Sequence, residues 1–117
     1  MVEINEVILL HGNAVREAAA KFFFPLQTTR VIKLEAFEEL SGATKALANA
    51  LRGHELVPKS LLSEIYLSIQ ILKNEAPYFR DETATLESMA NQLEMTFGLI
   101  LINESHDDRT PGVPRIL

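Results

Sequence analysis

Hydrophobic residues recur at steps of three and four positions in four successive segments of the chain, the spacing that places them on one face of an α-helix. In the last segment, for example, Leu86, Met89 and Leu93 repeat in this way. The connections between the segments are short. The pattern therefore predicts an all-α fold, an antiparallel four-helix bundle. The predicted helices cover residues 3–24, 29–52, 58–76 and 81–103.

Residues with a known preference for helix ends mark the first two predicted helices. Pro25 lacks a backbone N–H and is expected to end the first helix. Thr28 or Thr29 can cap the start of the second with its hydroxyl group, and Gly53 can stop it. Gly12 weakens the first assignment, because an interior glycine costs about 1 kcal/mol relative to alanine.

The last two predicted helices carry comparable signals. Pro58 is favoured in a first helical turn and begins the third helix. Pro77 ends that helix. Asp81 is a good N-cap for the fourth helix, and the helix dipole favours the acidic Glu82 beside it.

A rival fold stays open because three stretches are rich in β-branched or apolar residues. Short strands near 2–10, 29–37 and 97–102 would make the fold α+β. The chain contains no internal repeat and no linker long enough to divide it. We therefore predict one helical domain over residues 1–104 and a flexible or extended C-terminal tail, rich in proline, over 105–117.

The 117-residue chain contains no cysteine, which excludes disulfides, thiolate metal sites and a cysteine nucleophile. The absence of cysteine fits a reducing compartment. The acidic start, MVEINE, does not resemble a secretory signal. The apolar runs are much shorter than the roughly 20 residues that span a membrane. We expect a cytoplasmic protein.

Acidic residues are concentrated in the C-terminal part of the chain. The net charge is −5, from 16 acidic and 11 basic residues. Between Asp81 and Asp108 there are seven acidic residues and no Lys or Arg. Such a charge distribution disfavours binding to nucleic acid or to an anionic membrane.

Part of this acidic stretch forms a stripe on the fourth predicted helix. Glu87, Asn91 and Glu94 share one side, and the apolar residues occupy the other. No basic residue lies on the same helix to pair with these acids. Together with Asp81 and Glu82, the stripe is a candidate surface for a basic protein partner. The alternative is a solvated face that only aids solubility.

The stretch KFFFPL, residues 21–26, is a notable apolar feature. Three consecutive phenylalanines span about 200° of a helix, so at least one ring must leave the side that faces the core unless the following loop covers it. Phe23 and Phe24 are candidate contacts for a partner or a dimer; the alternative is a plug of rings at the end of the bundle.

In the second predicted helix, small residues recur about every four positions, which favours tight internal packing or a dimer seam. These are Gly42, Ala46, Ala50 and Gly53.

Residues 105–112, SHDDRTPG, resemble the phospho-accepting box of sensor histidine kinases, with its pattern Ser-His-x-x-Arg-Thr-Pro. The resemblance implies a signalling module in which His106 accepts a phosphoryl group. Proteins with this box continue the helix beyond the proline and carry a nucleotide-binding domain. Here Gly112 and Pro114 follow, and the chain has no glycine-rich phosphate loop. We therefore interpret the stretch as a polar tail and keep a phosphorelay role as a minor alternative.

Other residue groups do not predict catalysis or metal binding. The Glu-x-x-His pairs of di-iron bundles do not occur, and His11 and His54 are isolated in the sequence. Glu35, Glu38 and Glu39 cluster in the second predicted helix, where a solvated face is expected rather than acid–base chemistry. We expect no enzymatic activity, no metal and no cofactor.

These features favour a non-enzymatic protein-binding module that docks a basic partner, such as a toxin or a nuclease, through its acidic helical face. Bacterial immunity proteins and other small inhibitors of nuclease toxins are similar in physical type, being short, acidic, poor in cysteine and cytoplasmic. The main alternative is a structural or self-associating helical subunit, for example a homodimer.

Overall fold

The computed structural model describes residues 6–104. This part of the chain contains four α-helices and no strand, so the predicted all-α bundle is confirmed. The α+β alternative is wrong for these residues, because no described residue of the three proposed strands lies in a strand: 6–10, 34–37 and 97–101 are helical, and 29–33 belong to the connection between two helices. The helices are α1 (Glu6–Thr28), α2 (Leu34–Ala50), α3 (Lys59–Glu75) and α4 (Thr83–Leu101), with short 3-10 helices at Ala76–Tyr78 and Arg80–Glu82.

The predicted C-terminal tail, residues 105–117, lies outside the described residues, and its extended character stays a prediction. Residues 2–5 of the first proposed strand also lie outside the described residues. No helix within residues 6–104 is long and apolar enough to cross a membrane.

The bundle consists of two antiparallel helical hairpins that pack on each other. In the first hairpin Lys21 of α1 and Glu39 of α2 form an ion pair with an N–O distance of 3.2 Å. α3 and α4 form the second hairpin. The hairpins stack with α1 on α3 and α2 on α4. A salt bridge between Nη1 of Arg30 and Oε1 of Glu75, 2.6 Å apart, joins the C-terminal ends of α1 and α3. These two helices therefore run parallel.

The opposite end of the bundle is joined through the connection between α2 and α3. Gly53 adopts a φ of 82°, which glycine permits at low cost, and turns the chain after α2 as the sequence predicted. Its backbone N–H donates to the side-chain oxygen of Asn103 just beyond α4, at 2.7 Å. α2 and α4 therefore end at the same side of the molecule.

Apolar side chains that recur at helical spacing fill the space between the hairpins. Each of the four helices contributes residues that are almost completely buried. At about 25 cal/mol for each Å² of apolar surface, this burial is the main stabilising contribution. The largest of these fully buried side chains include Phe22, Leu26, Leu40, Leu47, Ile65, Leu72, Leu86 and Leu93.

The prediction that Pro25 ends the first helix is wrong, because α1 continues to Thr28. Leu26, in the turn after the proline, has no exposed surface, so ending the helix earlier would remove it from the core. The hydroxyl of Thr28 donates to the carbonyl oxygen of Phe24 at 2.6 Å. That of Thr29 donates to the carbonyl oxygen of Pro25 at 3.0 Å. Burial and these two bonds support the turn that the proline would otherwise terminate.

The predicted N-caps of the second and fourth helices are also wrong. Thr28 and Thr29 bond at the end of α1, and α2 begins only after Lys33, which provides no side-chain cap. Asp81 lies in a 3-10 turn, and the N-cap of α4 is Glu82, again without a side-chain cap. The hydroxyl of Thr83 instead donates to carbonyl oxygens of the preceding turn. The predicted limits of α3 agree with the structure, since Pro58 precedes it and it ends before Pro77.

Candidate protein-binding surfaces

The predicted acidic stripe is exposed and borders the groove between α3 and α4. Glu87, Asn91 and Glu94 are all exposed. A groove of about 500 Å³ is lined by Glu87 and Asn91 together with Ala90 and with Lys73 of α3. The stripe therefore lies beside Lys73, a basic residue of the second hairpin.

Lys73 partly neutralises the stripe. Its ammonium nitrogen lies 2.7 Å from Oε1 of Glu94. Both side chains are substantially exposed, so the pair contributes at most about 1 kcal/mol to stability. The sequence shows that α4 itself has no basic residue. It does not show which basic side chain of α3 the packing places beside α4. Glu94 is consequently a weaker attachment point for a basic partner than the sequence suggested.

Asp81, Glu82 and Glu87 keep their negative charges available to solvent. All three are exposed, and none forms an ion pair with another described residue. Asp81 and Glu82 lie in the 3-10 turn directly before α4, and Glu87 follows in its second turn. We call Asp81, Glu82, Glu87, Asn91 and Glu94 the acidic surface.

The three consecutive phenylalanines divide between the core and the surface. Phe22 and Phe23 are buried, at 0% and 6% exposure, whereas Phe24 is 71% exposed. The prediction that one ring must leave the core is confirmed. The assignment of Phe23 as a partner contact is wrong, because its ring packs edge-on against that of Phe22 with centroids 5.0 Å apart. Phe24 is the exposed aromatic residue of this stretch.

Phe24 forms part of the wall of a groove of about 830 Å³ between α1 and α2. The sequence did not predict this groove, because it arises only when the first two helices pack and the connection between them folds over. Its lining combines apolar and charged residues. The apolar residues are Ala20, Phe24, Pro25, Ile32, Leu34 and Ala36, and the charged residues are Lys21, Lys33, Glu35 and Glu39. We call this surface the Phe24 face.

Gly42, the first residue of the small-residue stripe on α2, does not form the tight internal contact that one reading of the sequence expected. Gly42 is exposed, and a methyl group added there would meet no atom within 4 Å. The close approach between helices is at Gly12 of α1, where an added methyl group would overlap the side chain of Leu61 on α3. The glycine that weakened the helix assignment therefore has a packing role.

The remaining titratable residues form no cluster with the composition of a metal site. Within residues 6–104, no group of three or more His, Asp or Glu side chains could hold an ion. His11 and His54 are both half-buried and lie in different parts of the fold. Glu35, Glu38 and Glu39 are exposed, and Glu39 pairs with Lys21. His106 and the SHDDRTPG stretch lie outside the described residues, so the phosphorelay alternative stays a prediction.

Comparison with known protein families, with curated proteins and with solved structures found no match to this chain. The bundle and its two surfaces therefore provide the basis for a functional proposal.

Proposed function

We propose that this protein is a non-enzymatic binding protein whose acidic surface docks a basic protein partner, in the manner of immunity proteins and other inhibitors of basic toxins. The observation that carries the proposal is the exposure of Asp81, Glu82 and Glu87, none of which pairs with another described residue. The absence of cysteine fits function in a reducing compartment, and the proposal places the protein in the cytoplasm.

Electrostatics favour a cationic partner at this surface. Exposed carboxylates on one side of a helix raise the association rate of a basic protein and oppose acidic competitors. α4 carries two acidic residues and no basic residue, and the preceding turn adds two more acids and Arg80. Because the residues are exposed, dissolved salt screens their attraction for a partner. At ordinary ionic strength the screening length is about 10 Å. The proposed complex is therefore expected to depend on salt.

Reversing charge on the acidic surface is expected to weaken partner binding by about 10-fold. The variant is Asp81→Lys/Glu87→Lys, which changes two exposed side chains that no described ion pair uses. Wild-type protein and variant would serve as baits in a host lysate at low salt, and the affinity of the retained basic protein would then be measured.

Glu17→Lys/Glu55→Lys is the matched control, because it changes net charge equally at exposed positions on α1 and in the connection after α2. We expect the control to bind as the wild type does. Equal weakening by both double variants would show that net charge alone causes the effect. The acidic surface would then not be the binding site. Failure of the wild type to retain any basic protein would contradict the proposal itself.

Lys73→Gln is expected to strengthen binding of the same partner by about two- to five-fold, because it removes the positive charge that pairs with Glu94. The dissociation constant would be measured at low and at high salt. The gain in affinity should be smaller at high salt, because salt screens the charges. Lys45→Gln, an exposed lysine on α2, is the control with the same charge change. Weaker binding after the Lys73 change would show that the partner does not approach through this groove.

A further inference from the structure

We infer that the Phe24 face is the contact surface of a symmetric homodimer. Phe24 is 71% exposed, and its ring stands beside a groove of about 830 Å³ on the same face of the first hairpin. A two-fold contact requires a self-complementary surface, and a projecting group beside a recess meets this requirement because each copy can place its projection in the recess of the other. The occupant that we assign to this groove is a second copy of the chain.

The recess has the apolar lining that a phenyl ring needs. Ala20, Pro25 and Ile32 contribute to it, and Leu34 extends the apolar surface and is itself exposed. Burying aromatic and aliphatic surface of this kind provides most of the affinity in protein interfaces.

Charge on the Phe24 face fits a second copy better than it fits a strongly basic partner. The lining contains two lysines and two glutamates, so the face is balanced although the whole chain has a net charge of −5. Lys21 already pairs with Glu39 within the chain. Lys33 and Glu35 form no ion pair with a described residue, so in a two-fold contact the lysine of one copy can approach the glutamate of the other.

Phe24 is presented on a rigid support. Its two preceding neighbours, Phe22 and Phe23, are buried, and Phe22 also packs against Phe37 of α2 with centroids 5.5 Å apart. The carbonyl oxygen of Phe24 accepts a hydrogen bond from Thr28 at 2.6 Å. Little backbone freedom is therefore lost when the ring is buried in a dimer, which favours association.

Sedimentation velocity of the purified chain from about 1 μM to about 1 mM tests this inference. We expect a reversible monomer–dimer equilibrium for the wild type, with Phe24→Ser weakening the dimer by at least about 10-fold. Tyr78→Ser is the matched control, since Tyr78 is 72% exposed but lies in the turn between α3 and α4 and outside the groove. It should change the dissociation constant by less than about two-fold.

A second variant, Ala20→Arg, keeps Phe24 and places a long charged side chain in the recess, and it should weaken the dimer to a similar degree. Circular dichroism establishes that each variant is folded. A wild type that stays monomeric at every concentration would overturn the inference, as would equal weakening by Phe24→Ser and Tyr78→Ser. Because no other protein enters this experiment, its outcome is independent of the acidic-surface proposal.

Discussion

Replacing Phe22 by alanine is expected to lower the free energy of unfolding by about 3–5 kcal/mol. The Phe22 side chain has no exposed surface. Its ring lies 5.0 Å from that of Phe23 and 5.5 Å from that of Phe37, measured between centroids, so it joins α1 to α2. Removing it leaves a cavity that the two neighbouring rings can fill only in part. Urea denaturation followed by circular dichroism measures the change.

Phe24→Ala is the control within the same stretch of sequence. It removes the same number of atoms from a ring that is 71% exposed, so the free energy of unfolding should change by about 0.5 kcal/mol or less. The measurement should be made at a concentration where the chain is monomeric, so that the stability of a dimer does not contribute. Comparable losses in the two variants would contradict the described division of the phenylalanines between core and surface.

The helical pattern of the sequence was sufficient to predict the four helices and their number, because burial of one stripe per helix is a property of spacing alone. It also predicted that at least one of three consecutive phenylalanines leaves the side that faces the core unless the following loop covers it. It did not show which one, since that depends on where α2 and α3 flank α1. The sequence therefore leaves Phe23 and Phe24 as equal candidates for a binding surface, whereas the packed bundle buries Phe23.

The errors at helix ends have a different origin. The expectation for Pro25 rested on the local cost of a missing N–H and a clash with the preceding turn. That cost, about 3 kcal/mol, is offset by burying Leu26, which contributes about 1.5–3 kcal/mol, together with two threonine hydrogen bonds of about 0.5–1.5 kcal/mol each. Tertiary burial outweighs a local helix-stopping signal here, and no pattern within the segment announces it.

The candidate surfaces were predictable only where they depend on one helix. The acidity of α4 follows from its composition, and its exposure follows from its periodicity. The pairing of Lys73 with Glu94 depends on the register between α3 and α4, and the Phe24 groove depends on the fold of the connection before α2. The periodicity of one helix contains no information on such contacts between two helices, so the sequence pattern could not predict them.

Replacing Gly12 by valine is expected to destabilise the protein by about 2–3 kcal/mol. A side chain at this position overlaps the end of the buried Leu61 side chain, so Leu61 must adopt another rotamer within the packed core or α1 and α3 must separate. Valine has a better helix propensity than glycine, so any loss of stability comes from packing between the hairpins. Gly42→Val is the matched control, because it makes the same change in an open position on α2 and should stabilise the protein by a few tenths of a kcal/mol.

Denaturation of both variants and of Gly12→Val/Leu61→Ala separates the contact from its surroundings. Truncating Leu61 removes the overlapping atoms, so the double variant should lose about 1 kcal/mol less stability than the sum of the two single losses. Such coupling would identify the Gly12–Leu61 approach as one of the contacts between the first hairpin and the second. A Gly12→Val variant as stable as Gly42→Val would mean that α1 and α3 are farther apart than described. In that case the interior glycine would lack a packing role and would only weaken α1.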